Sequence, residues 1–104
     1  MALRQLSTEE RAQARAKALR ARQERAEVKS AFAAGEVSLG EVLDRADRDP
    51  AIGRLRTVDL LQALPGVGAV RATAVMASCE ISPARRLKGL GRRQREALIA
   101  YIGR

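Results

Sequence analysis

From Ser7 onward no glycine or proline interrupts the chain until Gly35. This uninterrupted run constrains the fold more than any other feature of the sequence. Its residues are largely Ala, Arg, Gln, Glu and Lys, all strong helix formers. Ser7, followed three residues later by Glu10, reads as a capping box, in which two backbone N–H groups are satisfied reciprocally. The run therefore predicts one long helix through residues 7–35. After Leu6, its only large apolar residues are Leu19, Val28 and Phe32. A helix so poor in apolar surface cannot be held along its length by packing. The expectation is a helix anchored to a small domain through Phe32, with its first half frayed or mobile until a partner orders it.

The rest of the chain must supply that domain. The 104 residues suffice for one small domain and an extension. The division expected is an extended basic helix over residues 1–35 and a compact helical domain over 36–104. Hydrophobic residues make up 46%, but much of that is alanine, and Phe32 and Tyr101 are the two aromatics. The core must then be small and built from Leu, Val, Ile and Ala, with Met76 and Cys79 as further core candidates. Ser38 and Glu41 form a second capping box, opening a short helix through Val42 and Leu43. Asp49-Pro50 reads as a cap followed by proline at the first helical position. Ile52, Leu55, Val58, Leu61 and Leu64 recur every third residue and predict one buried side. Val70, Ala74 and Ala77 keep helical spacing. Ile81-Ser82-Pro83 reads as a stop and restart, with Ser82 as cap, and Gly89 and Gly91 interrupt the chain again. A last helix places Ala97, Leu98, Tyr101 and Ile102 on one packed face and ends at Gly103, a usual role for glycine. No stretch alternates like a strand, so the fold class expected is all-α.

Charge narrows the partner. Lys and Arg total 20 against 12 Asp and Glu, with no His, for a net charge of +8. Such a balance points to a polyanion, nucleic acid before an anionic membrane. The charge is uneven: +4 over residues 1–35, −2 over 36–64 and +6 over 65–104. Two separate anion-facing surfaces are expected. On the long helix, Arg11, Arg15, Arg22, Arg25 and Lys29 fall within about 80° of one another, a stripe roughly 27 Å long. Glu24 and Glu27 fall on the opposite side, so the stripe is a candidate phosphate-contacting face. Asp44, Asp47 and Asp49 lack the ligand spacing of a calcium loop and read as a solvated acidic face without a metal. The single cysteine excludes an intramolecular disulfide and fits a reducing cytosol. No signal peptide and no membrane span is expected.

The chemistry is expected to centre on Leu64-Pro65-Gly66-Val67-Gly68. The segment lies between two helix-patterned stretches. Pro65 cannot continue a helix, and Gly66 and Gly68 permit backbone angles that other residues resist. The helix that follows would begin with free backbone N–H groups, an arrangement that binds phosphate.

Together these motifs resemble the actinobacterial integration host factor family. The similarity runs over essentially the full length. It includes Met1-Ala2-Leu3, Arg22-Gln23-Glu24-Arg25-Ala26-Glu27-Val28-Lys29, and Ile52-Gly53 before a basic pair. Its most specific parts are Leu60-Leu61-Gln62-Ala63-Leu64-Pro65-Gly66-Val67-Gly68 and Arg85-Arg86-Leu87-Lys88-Gly89-Leu90-Gly91. The resemblance implies a helix–two-turns–helix module over about residues 57–102. It further implies a nucleoid-associated, double-stranded DNA-binding and DNA-bending protein of little sequence preference, one that supports chromosome compaction, phage integration and gene regulation. It also implies that Pro65, Gly66, Val67 and Gly68 meet phosphates through their backbone and that Arg71, Arg85, Arg86 and Lys88 ring that contact. The family usually has a basic residue where this chain has Ala69, which leaves Arg71 to compensate.

Other functions fit less well. A repair glycosylase would attack through an N-terminal proline amine or a lysine, but residue 2 is Ala2 and the lysines are Lys17, Lys29 and Lys88. No enzyme, cofactor or small-molecule substrate is expected, although a non-catalytic repair accessory module stays open. A small-subunit ribosomal protein of the S-thirteen type has a similar hairpin and would bind ribosomal RNA, but its basic extension follows the module rather than precedes it. Single-strand binding lacks aromatic stacking platforms. Insertion of residues 8–29 into lipid lacks an apolar face. The expectation is a cytoplasmic, nucleoid-located monomer, and whether its two surfaces meet one duplex or bridge two stays open.

Overall fold

The computed structural model describes residues 5–103. Among them the fold is all-helical: α1 (Thr8–Ala33), α2 (Leu39–Arg48), α3 (Pro50–Gly53), α4 (Thr57–Gln62), α5 (Ala69–Ser78) and α6 (Arg92–Ile102), with a 3-10 turn at Leu87–Gly89. Its extents are 48 × 32 × 25 Å, the long axis reflecting the 26-residue α1.

Local chemistry sets most of the helix ends. The Ser7 hydroxyl accepts from Glu10 N–H and the Glu10 carboxylate accepts from Ser7 N–H, both at 3.1 Å. At the other end Gly35 takes φ +78°, its N–H donates to Phe32 C=O, and Glu36 N–H donates to Ala31 C=O at 2.9 Å. This is a Schellman motif, which satisfies the last carbonyls and turns the chain away. Ser38 and Glu41 repeat the capping box on α2 at 3.1 Å. The Asp49 carboxylate accepts from Ala51 N–H at 3.0 Å, with Pro50 opening α3.

α1 buries only its last turns, through Val28 and Phe32, against α2 and α3. α2 is the hub: it packs on α1, α3 and α6, with Leu39, Val42, Leu43 and Ala46 inward. α4 lies on α5, and α5 on α6. Phe32, Leu39, Leu43, Ile52, Leu60, Leu61, Met76, Leu87 and Leu98 form the fully buried centre. Cys79 is buried beside them, and burial pushes its thiol up from the ordinary value.

Two expectations from the sequence need correction, the Ser82 cap and the packed face of the last helix, and two others gain detail. The three-residue repeat from Ile52 to Leu64 is buried as expected, at Ile52, Leu55, Leu61 and Leu64 with Val58 packed against them, but it is shared between α3, the crossing and α4 rather than carried on one helix. α3 ends at Gly53 and the chain crosses to α4 through Arg54, Leu55 and Arg56, so Val58 is only half-buried and Leu60 is fully buried. Ser82 caps no helix; its carbonyl accepts from Arg85 N–H at 3.1 Å in a turn. α5 buries Ala72, Val75 and Met76, whereas Val70 is 86% exposed and Ala74 and Ala77 face solvent. α6 buries Leu98 and leaves Tyr101 59% exposed, with Ala97 exposed as well. On both helices small apolar residues occupy both sides, so spacing alone could not select the face that the neighbouring helix covers.

The acidic residues of α2 are not merely a solvated face. Asp47 receives two bonds from the Arg95 guanidinium, at 2.7 and 2.8 Å, which tie α6 to α2. These bonds hold the Asp47 carboxyl below its ordinary range.

Candidate nucleic-acid interface

The hairpin follows the last turn of α4. Val67 N–H donates to Leu64 C=O at 3.1 Å, closing a turn with Pro65 second and Gly66 third at φ +78°. Proline and then a positive-φ glycine is the pattern of a type II turn. Leu64 is buried and Val67 half-buried, so the turn is anchored, while Pro65, Gly66 and Gly68 stay exposed. Gly68 opens α5 without any side-chain cap. The first-turn N–H groups of Ala69, Val70 and Arg71 therefore lack an intrahelical partner and carry the positive end of the helix dipole. Arg71 shares with Pro65, Val67 and Tyr101 a hollow of about 300 Å³ beside this terminus.

Arg85, Arg86 and Lys88 are built differently. Thr57 N–H donates to Arg85 C=O at 3.0 Å and Leu87 N–H to Leu55 C=O at 2.9 Å, pinning this segment to the start of α4. Leu87 is fully buried, which turns Arg86 and Lys88 outward on either side of it. Gly53 makes the close approach possible: a Cβ there would meet Ala46 O at 2.7 Å and Lys88 Cβ at 3.2 Å. Arg85, Arg86, Lys88 and Arg54 line a hollow of about 710 Å³. The structure sets the hairpin and this segment apart. The hairpin follows one end of α4 and the Arg85–Lys88 segment is tied to the other, a separation of roughly 9 Å along a six-residue helix. Of the four basic residues, only Arg71 lines the hairpin's own hollow.

The stripe on α1 is exposed at Arg11, Arg15 and Arg22 and half-buried at Arg25 and Lys29, where α1 reaches the domain. Lys29 lines a hollow with Asp59, Gln62 and Ala63 of α4. Glu24 turns away from the stripe. Its carboxylate lies 3.8 Å from Arg45, and the neighbouring Asp49 carboxyl raises its pKa while that of Asp49 is lowered. Ion pairs among the described residues engage Arg45, Arg92 and Arg95, not the cations of the stripe, the hairpin or the Arg85–Lys88 segment. Those cations are available to an external anion.

Two basic residues beside the Arg85–Lys88 segment are not picked out by sequence reasoning. Arg54 and Arg56 sit in the block of net −2 charge, where counting along the chain cancels them against carboxylates. In space they stand beside Arg86, whose Nη1 donates to Arg54 C=O at 2.7 Å. The basic pair after Ile52-Gly53 was the available signal.

Comparisons with known proteins agree with this geometry. A family model described as an S13-like H2TH domain, a helix–two-turns–helix module, matches residues 32–102. The integration host factor of Mycobacterium tuberculosis is 48% identical over 103 residues, covering 99% of this chain and 98% of that protein. The integration host factor of Streptomyces coelicolor is 45% identical over 103 residues, covering 99% and 96%. A solved structure described as "Structure of sIHF bound to an 8bp palindromic DNA" superposes with a TM-score of 0.78 at 42% identity, covering 82% of this chain and 96% of that one.

Proposed function

The chain belongs to the actinobacterial integration host factor family, and from that premise we propose that it binds the backbone of double-stranded DNA largely without regard to sequence. Gly68 carries the reading. Its φ of −91° is open to any residue, and a Cβ placed there would meet nothing within 4 Å. The protein itself therefore has no need of glycine at this position. What a missing side chain provides is room for a ligand's backbone to reach the uncapped N–H groups of α5. Phosphates are the same on every sequence, so contacts of this kind position the protein without reading bases. Arg71, Arg85, Arg86, Lys88 and the stripe of Arg11, Arg15, Arg22, Arg25 and Lys29 add charge-assisted bonds.

In the cell this makes the chain a monomeric, nucleoid-associated protein of the cytoplasm. It bends or compacts DNA, supports phage integration and gene regulation, and catalyses no reaction. Affinity for several unrelated duplexes, measured by anisotropy at three salt concentrations, tests the reading. Similar affinities and a steep linear fall with log salt are expected, as released counterions require. Arg85→Ala with Arg86→Ala should weaken all duplexes alike and flatten the slope by about 2. A loss confined to one DNA sequence would contradict it. A ribosomal-RNA partner is the competing reading, favoured by the S13-like character of the matched model. Preferential displacement of DNA by an RNA duplex of equal length would decide for it.

A further inference from the structure

The basic pair at Arg54 and Arg56 forms part of a hollow that is separate from the hairpin and touches the α1 stripe at Arg25. Its volume is about 240 Å³, and Arg25, Arg54, Arg56 and Arg86 line it with a single carboxylate, Asp59. The four arginines come from three places: α1, the crossing from α3 to α4, and the segment before the 3-10 turn. We propose that this hollow seats one phosphodiester group of DNA, and that it joins the α1 stripe and the Arg85–Lys88 segment into one track on one duplex.

The geometry of the bridge supports this. Arg56 and Arg86 face each other in an antiparallel β-bridge whose hydrogen bonds are made by the flanking residues, Thr57 to Arg85 and Leu87 to Leu55. Such a non-hydrogen-bonded pair has the closest side chains of any sheet pairing, with Cα atoms about 4.5 Å apart. Like charges directly opposite across a bridge are destabilising. Here the arrangement is reinforced by Arg54 and Arg25, and one carboxylate cannot neutralise four cations. An anion between the guanidinium groups removes the repulsion, and the planar fork of arginine suits two oxygens of a phosphate. Arg86 is already oriented by its 2.7 Å bond to Arg54 C=O, so less side-chain entropy is lost on binding.

Continuity gives the single track. Arg25 is a member of the α1 stripe. Arg54 and Arg86 also line the larger hollow that holds Arg85 and Lys88. Arg22 shares the stripe with Arg25, and Arg25, Arg56, Arg86 and Lys88 line two hollows that have Arg54 and Arg86 in common. A duplex lying along α1 would reach the Arg85–Lys88 segment through this hollow.

The inference rests on the DNA-binding reading above, and its test separates the two. Full-length protein is titrated into a labelled 20-base-pair duplex at three salt concentrations. Compared are the unaltered chain, Arg54→Ala with Arg56→Ala, Arg25→Ala alone, and Arg20→Ala with Arg48→Ala. The last pair removes the same charge as the first from exposed positions outside the hollow. Thermal melts check that the folds match. This is expected because both arginine side chains of the crossing are exposed and the bridge bonds are made by backbone. Expected is an affinity loss of about tenfold for Arg54→Ala with Arg56→Ala, and a salt slope shallower by about 1, the signature of one lost phosphate. Arg25→Ala should flatten the slope in the same sense, and the Arg20 and Arg48 pair should leave it unchanged. Equal slopes for both double variants would overturn the phosphate seat while leaving DNA binding intact. Absence of salt-dependent binding by the unaltered chain would instead overturn the reading beneath it. Energy transfer between donor- and acceptor-labelled duplexes, at less than one protein per duplex, would overturn the single track.

Discussion

At the scale of single residues, the two glycines of the hairpin do different work. Gly66 takes φ +78°, a region that costs an L-residue about 1–2 kcal/mol. Gly68 does not, and nothing crowds it. Gly66→Ala should therefore destabilise the protein by about that amount, read as a lower urea midpoint. Gly68→Ala should cost less than about 1 kcal/mol, the scale of N-cap preferences, yet weaken duplex binding about tenfold, or roughly 1.4 kcal/mol. Unaltered affinity in a folded Gly68→Ala protein would remove the main support for the hairpin as a phosphate site. The roles of these glycines were half legible in the sequence. Proline followed by glycine announces a turn, but two glycines two residues apart look alike until their angles and surroundings are known.

At the scale of elements, α1 departs from ordinary helix packing. Residues 11–20 are all exposed, and Leu19 is 48% exposed. Helices without a packed face are marginal in water, so the capping box at Ser7 and Glu10 has little tertiary support. Amides of residues 8–22 should exchange fast in the free protein and be protected when duplex is added, while those near Val28 and Phe32 are protected throughout. Strong protection of residues 8–22 without DNA would show that the helix is preformed. The existence and starts of α1, α2 and α3 are readable from sequence because caps act between neighbours: Ser7 with Glu10, Ser38 with Glu41, Asp49 with Pro50. The buried face of α5 is not. Val70, Ala74 and Ala77 form one helical stripe and Ala72, Val75, Met76 and Cys79 another. Only the position of α4 and α6 decides that the second is covered.

At the scale of the whole molecule, one polar clamp joins the first packed helix after α1 to the last helix. Arg95 is 20% exposed and grips Asp47 with two bonds. Because the Asp47 carboxyl is held below its ordinary value of 3.8, its contribution is present above that value and is lost as pH falls through the lowered one. Melting temperatures of the unaltered chain and Asp47→Asn should differ most near neutral pH, start to approach each other as pH falls past about 4, and coincide only below the lowered value. A difference that persists unchanged into acid would mean that the carboxylate charge plays no part. Asp47 reads in sequence as one of three surface carboxylates, since its partner lies 48 residues away.

Sequence alone therefore determines that the chain is helical, where its first three helices start, that one of them is long and basic, and that a proline–glycine turn precedes an uncapped helix. Propensity, capping and turn chemistry act over a few residues, and each is complete within the string. The tertiary structure decides which faces are buried, that Arg85 and Arg86 belong to the opposite end of α4 from the hairpin, and that Arg54 and Arg56 stand beside Arg86. Those outcomes depend on close packing and on one backbone bridge between segments about thirty residues apart. Charges that cancel when counted along the chain add when the fold sets them side by side.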